Sequence, residues 1–370
     1  MSKKALVVGG GIIGMAIGHR LHSEGWAVTL IDKSRPGSGT SKAALGSLTP
    51  YSDEHANQAT RNLARASVAR YPKWLKSLEQ DSGRRVDFDQ RGLIELALTA
   101  KEEVQLRSRS RTLKKSKCPV RLLSSDEVLK LEPEVNRQVL LGLHYLDEPH
   151  LDAPQLLQAL EAALTTKGCV IASNIQAHQV LQTNGRVSGV ETSQGIIRSS
   201  LVIIAAGDGC CGLRGVPPLK LSRIRGEVME IRGAPGILSR HIYCQHGFIT
   251  PRRDGRLLVG STYDEHLQMD DENQDTISVG NARLILNATS RMLPIIERFQ
   301  ILRHWKGWRH CSKDNQPIIG QWGPRGLFVA TGFYGLGFTL APGTAELIWN
   351  LISGRQRVPP PEFSPDRFRT

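Results

Sequence analysis

The sequence predicts a mixed α/β fold in which a parallel-sheet domain is interleaved with a discontinuous antiparallel-sheet domain, and three observations predict it. Near the N-terminus, residues 5–8 (Ala-Leu-Val-Val) are a short apolar run of buried-strand type. The run enters the turn Gly9-Gly10-Gly11-Ile12-Ile13-Gly14 and then an apolar spacing of helical period, Ile13, Ile17 and Leu21. Near the C-terminus the pattern returns: residues 327–330 (Leu-Phe-Val-Ala) lead into Thr331-Gly332-Phe333-Tyr334-Gly335-Leu336-Gly337 and a helix over 341–352. Between the two units lie alternating strands joined by Asn184-Gly185 and Asp254-Gly255, the dipeptides of tight hairpins. Strand–turn–helix units build parallel sheets, and hairpins build antiparallel ones.

In the first unit Gly9, Gly11 and Gly14 fit G-x-G-x-x-G. The first allows the tight turn, the second lets a pyrophosphate approach backbone N–H groups, and the third lets the helix pack on the strand. Ile12 and Ile13 open the helix at that point, and Gly18 extends its bare face by a turn. A second strand over 27–31 ends in Asp32, eighteen residues beyond Gly14, where a carboxylate accepts hydrogen bonds from ribose hydroxyls. A glycine triplet alone is common. The strand before it, the helix after it and the acid at that distance together predict a Rossmann-like site for an adenine dinucleotide over residues 9–32. Such a unit serves NAD and FAD alike.

The residues that follow favour FAD. Lys33-Ser34-Arg35-Pro36-Gly37-Ser38-Gly39-Thr40-Ser41, then Ala43, Ala44, Gly46, Leu48 and Pro50, make a segment of small residues and hydroxyl donors that suits a second phosphate and a flat ring. Here the sequence resembles the D-amino-acid oxidase superfamily of FAD enzymes, whose members carry a Ser/Thr-Ser-x-Ala-Ala-Gly-like stretch at this place. Farther on, Asn174-Ile175-Gln176-Ala177 leads into the strands around Asn184-Gly185, and a strand over 201–205 runs into Ala206-Gly207-Asp208. In the family such a meander and strand end return to the adenine side of FAD. Tyr71-Pro72-Lys73-Trp74-Leu75, Leu131-Glu132-Pro133, Leu151-Asp152-Ala153-Pro154, Arg225-Gly226-Glu227, Gly260-Ser261-Thr262 and Gly307-Trp308-Arg309 look like landmarks of glycine oxidases of the thiamine-biosynthesis type, in order. The resemblance implies noncovalent FAD held by Gly9, Gly11, Ile12, Ile13, Gly14, Asp32, Lys33, Thr40, Ser41, Ala44, Gly46, Leu48, Ile175, Ala206 and Gly207. From the second turn it adds Gly335, Leu336, Gly337, Phe338 and Thr339. Trp74, Leu75, Leu156 and Leu157 read as helix core.

In the family the second turn lies against the pyrimidine end of the flavin, where a helix N-terminus stabilises developing negative charge. Gly307-Trp308-Arg309, followed by Lys313-Asp314-Asn315-Gln316-Pro317-Ile318-Ile319-Gly320, matches the family's Gly-x-Arg stretch, and the resemblance implies that Arg309 holds the substrate carboxylate. A planar guanidinium fork suits that task. Strands over 247–252 and 256–262 read as a hairpin of the substrate sheet, with His246 and Phe248 on one face. The family places polar or aromatic substrate-lining groups about here, which makes His246 a candidate, and Tyr334 of the second turn is counted with it. Two departures stand out. Phe248 occupies the place of a tyrosine in glycine oxidases, and neither Gly335 nor Thr339 is the arginine or lysine that glycine and sarcosine oxidases carry there, so the second carboxylate anchor is missing. The turn 333–338 is closer to sarcosine oxidases and D-amino-acid dehydrogenases, and the cysteine that binds flavin covalently in sarcosine oxidases aligns with Gly307, not Cys311. The implied reaction is oxidation of an amine α to a carboxylate, with hydride transfer to flavin N5, imine hydrolysis, and molecular oxygen or a quinone as electron acceptor.

Of 370 residues, 40% are apolar and 22% charged, which excludes a disordered chain and predicts a soluble protein of two domains. The nucleotide domain is expected from 1–85, 150–220 and 320–370, and the substrate domain from 86–149 and 221–319. Lys and Arg number 48 against 35 Asp and Glu, a net charge of +13 that favours anionic partners. Arg107, Arg109, Arg111, Lys114, Lys115, Lys117 and Arg121 concentrate that charge with no aromatic among them on which bases would stack. They read first as a solvated basic helix or loop, next as a weak contact with a membrane surface, and no nucleic acid is expected. The six cysteines show no metal-ligand spacing, so reduced thiols of a cytoplasmic protein are expected, and no metal. Homo-oligomerisation is an expectation from the relatives alone. From Val358-Pro359-Pro360-Pro361 onward the tail is expected to trail over the surface.

Overall fold

In the computed structural model, which describes residues 3–245, 247–264 and 276–368, the chain alternates between two large sheets. β1 (Lys4–Val8), α1 (Ile12–Ser23) and β2 (Ala27–Ile31) begin the first. Its six strands run in the order Ile318–Gln321, Leu327–Thr331, Val202–Ile204, β1, β2, Val170–Ala172. Every pairing is parallel except that of the edge strand Ile318–Gln321 with Leu327–Thr331. Both faces of β1 are covered, so it reads as an unbroken apolar run rather than an alternation. Ala5 and Val7 join a core with α1 and the helices Ala153–Thr166 and Gly337–Ser353, while Leu6 and Val8 join another with the meander Ala177–Thr183, Arg186–Thr192, Gly195–Arg198.

The second sheet places eight strands in the order Gln300–Cys311, Ser222–Arg232, Arg256–Gly260, Gly247–Pro251, His241–Cys244, Leu93–Ala97, Leu141–Tyr145, Val120–Ser124. One pair, His241–Cys244 on Leu93–Ala97, is parallel. Helix Val279–Met292 covers part of one face, where Ile285 and Met292 pack with Ile94, Met229, Ile249 and Leu257. The meander's first hairpin turns on Asn184 and Gly185 at φ of 51° and 71°, the left-handed pair that a type I′ turn requires.

Two expectations change. The basic stretch contributes to the helix Ala100–Lys115, but Arg109 does not extend into solvent. It donates to Ser52 O at 2.5 Å and to Glu54 Oε1 at 2.6 Å, and lies 3.4 Å from Glu95 Oε1. Glu95 is buried in the sheet, with Tyr145 Oη donating to its other oxygen at 2.7 Å, and a buried carboxylate needs a cation. The C-terminal tail does not trail away either. Phe363 is 1% exposed, and Arg367 donates to both oxygens of Asp314 at 2.9 Å, so one ring and one bidentate ion pair hold the segment against the edge of the first sheet. Among the described residues no helix is long and apolar enough to cross a membrane, and no three His, Cys, Asp or Glu side chains group as metal ligands.

Candidate active site

A cavity of about 970 Å³ opens at the carboxyl ends of the parallel strands, beyond Val8, Ile31, Ile204 and Ala330, and reaches Val228, Tyr243, Phe248 and Arg309 of the eight-stranded sheet. Parallel sheets bind their ligands at this end.

At the nucleotide end, backbone closes on backbone. Gly9 has φ 107°, and a Cβ on it would lie 2.4 Å from Ala205 O; a Cβ on Gly14 would lie 1.9 Å from Gly9 O. Gly14 therefore packs α1 on the strands and does not itself line the cavity, whereas Gly9, Gly11, Ile12 and Ile13 do. α1 begins without a side chain of its own as cap. Ser41 Oγ accepts the Ile12 N–H at 3.0 Å, and the rest of the first turn is free to face an anion. Asp32 accepts the Gly10 N–H at 2.7 Å on one oxygen and the Ser34 N–H at 2.8 Å on the other, and each oxygen keeps a lone pair for a ribose hydroxyl.

Lys33, Thr40, Ser41, Ala44, Gly46, Ile175, Ala206 and Gly207 line the same space. Thr40 Oγ1 donates to Trp308 O at 2.9 Å, and a Cβ on Gly307 would fall 2.3 Å from that of Ala43, so the bare residue 307 lets the loop lie on the long strand Gln300–Cys311. Beside Gly207, His310 Nε2 stands 3.3 Å from Asp208 Oδ1, and Arg223 pairs with the same carboxylate. Burial, and then the charges of Arg223 and Lys33, pull the imidazole of His310 down to about 4, so it is neutral at pH 7. Among the described residues no cysteine lines the cavity, and Cys311 is buried away from it.

At the other end Arg309, Tyr334, Gly335, Gly337 and Phe338 line the wall. Arg309 lies over Gly226, where a Cβ would come within 2.3 Å of Nη1. Nη2 donates to Ser261 Oγ at 2.6 Å, Nη1 donates to Thr262 O at 3.1 Å, and the Tyr263 ring centre is 4.2 Å from the guanidinium carbon. Part of the fork is thereby fixed, and the remaining N–H groups are available. Tyr334 adopts a left-handed φ of 50°, with its N–H donated to His310 O at 3.0 Å. Its ring meets His55 at 5.0 Å and Tyr263 at 6.2 Å. Burial raises the phenols of Tyr334 and Tyr243, which stay protonated at neutral pH. The helix Gly337–Ser353 also starts without a side-chain cap. Its interior Pro342 lacks the N–H that would reach Phe338 O, and the fully buried Tyr71 hydroxyl donates there at 2.5 Å instead.

Besides Gly14, three expected cofactor residues lie elsewhere. Leu48 and Leu336 are buried in the core around α1, and Thr339 is buried with its hydroxyl accepting the Thr49 N–H at 3.1 Å, so none lines the cavity. His246 lies outside the described residues. Conversely, two parts of the wall were not expected. Tyr243 stands opposite Phe248 in register, ring centres 4.5 Å apart, so a phenol absent at 248 is present on the next strand. The segment Ser52-Asp53-Glu54-His55 forms the wall near Tyr334, and its charge run within an otherwise small, hydroxylic stretch was the available signal. Arg109 holds it from outside, and so does Glu148, whose Oε1 accepts the N–H groups of Tyr51 at 2.7 Å and Ser52 at 2.6 Å. Glu148 is fully buried with Oε2 unpartnered, and burial pushes its carboxyl up to about 7.

The family described as DAO: FAD dependent oxidoreductase matches residues 4–351. The chain is 29% identical over 356 residues to a glycine oxidase of Geobacillus kaustophilus, covering 95% of this chain and 93% of that one. It is 27% identical over 363 residues to the bifunctional protein ThiO/ThiG of Trichormus variabilis, covering 97% of this chain and 54% of that one, so it spans about half the length of that relative. Among solved structures, glycine oxidase from Geobacillus kaustophilus superposes with a TM-score of 0.89 at 27% identity over 98% of each chain. That from Bacillus cereus ATCC 14579 gives 0.87 at 26% identity over 96% of each.

Proposed function

The chain belongs to the DAO family of FAD dependent oxidoreductases, and from that premise we propose that it oxidises the C–N bond of a small amino acid or N-methyl amino acid. One observation carries this: Arg309, the cradle at residues 9–14 and the uncapped start of the helix Gly337–Ser353 face one cavity. The residues present fit FAD. Gly9 leaves no room for a Cβ, α1 opens toward the cavity uncapped, and Asp32 keeps lone pairs for a ribose.

When bound, FAD supplies the two-electron acceptor for the hydride that leaves the substrate Cα. Arg309 grips the carboxylate, and Ser261, Thr262 and the Tyr263 ring hold the guanidinium in place beforehand, so little ordering remains to be done on binding. Tyr243 and Tyr334, protonated, donate hydrogen bonds where a second cationic anchor is absent. The free N–H groups at the start of the helix Gly337–Ser353 favour negative charge at that end of the cavity. Water then hydrolyses the imine to a carbonyl acid and ammonia or an amine. Residues 1–85, 150–220 and 320–370 make up the nucleotide domain in this scheme, and the rest the substrate domain.

Anaerobic addition of glycine, sarcosine and other small amino acids to the yellow holoprotein is expected to bleach the flavin absorbance. A spectrum unchanged across the panel would sink the proposal. A second reading, a dehydrogenase passing electrons to a quinone, is favoured by the turn over 333–338 and by the basic residues on helix Ala100–Lys115. Peroxide formed in air supports the oxidase; dye-linked turnover without peroxide supports the dehydrogenase.

A further inference from the structure

The cavity wall near the second glycine turn carries an acid that forms no ion pair among the described residues. Asp53 Oδ1 accepts the N–H groups of His55 at 2.9 Å and Ala56 at 3.1 Å, and Oδ2 has no partner among the described residues. Its neighbour Glu54 is paired with Arg109 at 2.6 Å. Arg61 reaches only the main-chain oxygen of Asp53, at 3.5 Å. Burial raises the Asp53 carboxyl, outweighing the nearby charges of His55 and Arg61 and the two N–H donors, all of which lower it. Tyr334 joins this acid to Arg309: His55 packs edge-on against its ring at 5.0 Å, Tyr263 stacks at 6.2 Å, and Tyr263 in turn carries the Arg309 guanidinium at 4.2 Å. The cavity thus presents a cation at one end of an aromatic row and an acid at the other. Next to Tyr334, a Cβ on Gly335 would meet nothing within 4 Å, so there is room beside that turn in the cavity that Arg309 and Asp53 both line.

We propose that the preferred substrate is an amino acid with a second, positively charged group, its carboxylate on Arg309 and its distal ammonium on Asp53; this rests on the reading of the cavity as an amine-oxidising site. A free carboxylate oxygen beside aromatic faces suits an ammonium by charge and by ring quadrupole. A neutral side chain leaves the half-buried Asp53 carboxylate without an ion-pair partner from the substrate.

ω-Amino carboxylates, from β-alanine to ε-aminohexanoate, carry the same two charges and no amine at Cα, so their binding tests the pairing apart from the reaction. Titrated into the yellow holoprotein and read by perturbation of the flavin absorbance, one chain length is expected to bind about tenfold tighter than the plain carboxylate of equal length, the scale of one charge-assisted contact. Asp53→Asn keeps an oxygen for the His55 and Ala56 N–H groups and is expected to remove that gain, while Asp53→Glu retains part of it. Equal binding of amino and plain carboxylates, or an undiminished preference in Asp53→Asn, overturns the inference. In turnover, the kcat/KM ratio of lysine to norleucine, with both enantiomers, is expected to fall by about the same factor in Asp53→Asn. A loss shared equally by cationic and neutral substrates would assign Asp53 to the reacting amine and overturn it too. Binding through Asp53 with no bleaching by any amine would sustain the charge pairing and defeat the oxidation.

Discussion

In the turn over residues 9–14 a Cβ on Gly14 would stand 1.9 Å from Gly9 O, whereas in the turn over 332–337 a Cβ on Gly335 would meet no atom within 4 Å. Both turns link a parallel strand to a helix that starts without a side-chain cap. Glycine in the first answers to the backbone of the protein itself, which already fills the space a side chain would need. Glycine at 335 answers to nothing in the protein and leaves space on the ligand side. One residue type thus marks contact in one turn and room in the other, and only packing tells them apart.

Gly14→Ala is the harshest way to break the contrast. It is expected to cost roughly 3 kcal/mol by overpacking and to strip flavin from the purified protein. Thermal melting and the flavin-to-protein absorbance ratio measure both, and wild-type values would mean that the first turn yields as readily as the second. Glu148, which holds the loop near the second turn, comes next. Its carboxyl sits at about 7 in the fold against an ordinary 4.5, so its contribution to stability is complete below that ordinary value and declines as pH rises toward 7, by roughly 3 kcal/mol. Glu148→Gln cannot ionise and is expected to show a flatter stability curve over that window; curves parallel to the parent's would remove Glu148 from the balance. Arg309→Lys keeps the charge and loses the fork. KM is expected to rise about tenfold, near 1.4 kcal/mol, with kcat less affected, and an unaltered KM would take Arg309 off the carboxylate. The gentlest change is Gly335→Ala, expected to shift stability by no more than about 0.5 kcal/mol while altering the preference among amines. Destabilisation matching that of Gly14→Ala would erase the contrast.

The parallel sheet was legible wherever local chemistry and tertiary environment agree. β2 is a five-residue strand that ends at Ile31, directly before Asp32, and the hairpin at Asn184-Gly185 needs the left-handed φ values that those residues tolerate. The Arg309 end of the cavity was legible through the resemblance to amine oxidases. The opposite wall was not. Tyr243 belongs to a four-residue strand with no turn dipeptide of the kind that marks the hairpins, and it lines the cavity beside Phe248, its cross-strand partner. Asp53 faces the same space because Glu148 and Arg109, distant in sequence, grip the main chain beside it. Likewise Phe363 is one ring in a polar, proline-rich tail, and nothing local reveals that the edge of a sheet is waiting for it.

The place of Leu327–Thr331, inserted between Val202–Ile204 and Ile318–Gln321, sets a schedule for synthesis. α1 leaves the ribosome about three hundred residues before the helix Gly337–Ser353 against which it packs. At about 5–20 residues per second that interval is roughly 15 to 60 s, during which the apolar side of α1 lacks a principal neighbour. The N-terminal unit reads as a self-contained motif, yet a nascent chain halted before residue 327 would expose that surface to chaperones and to other chains.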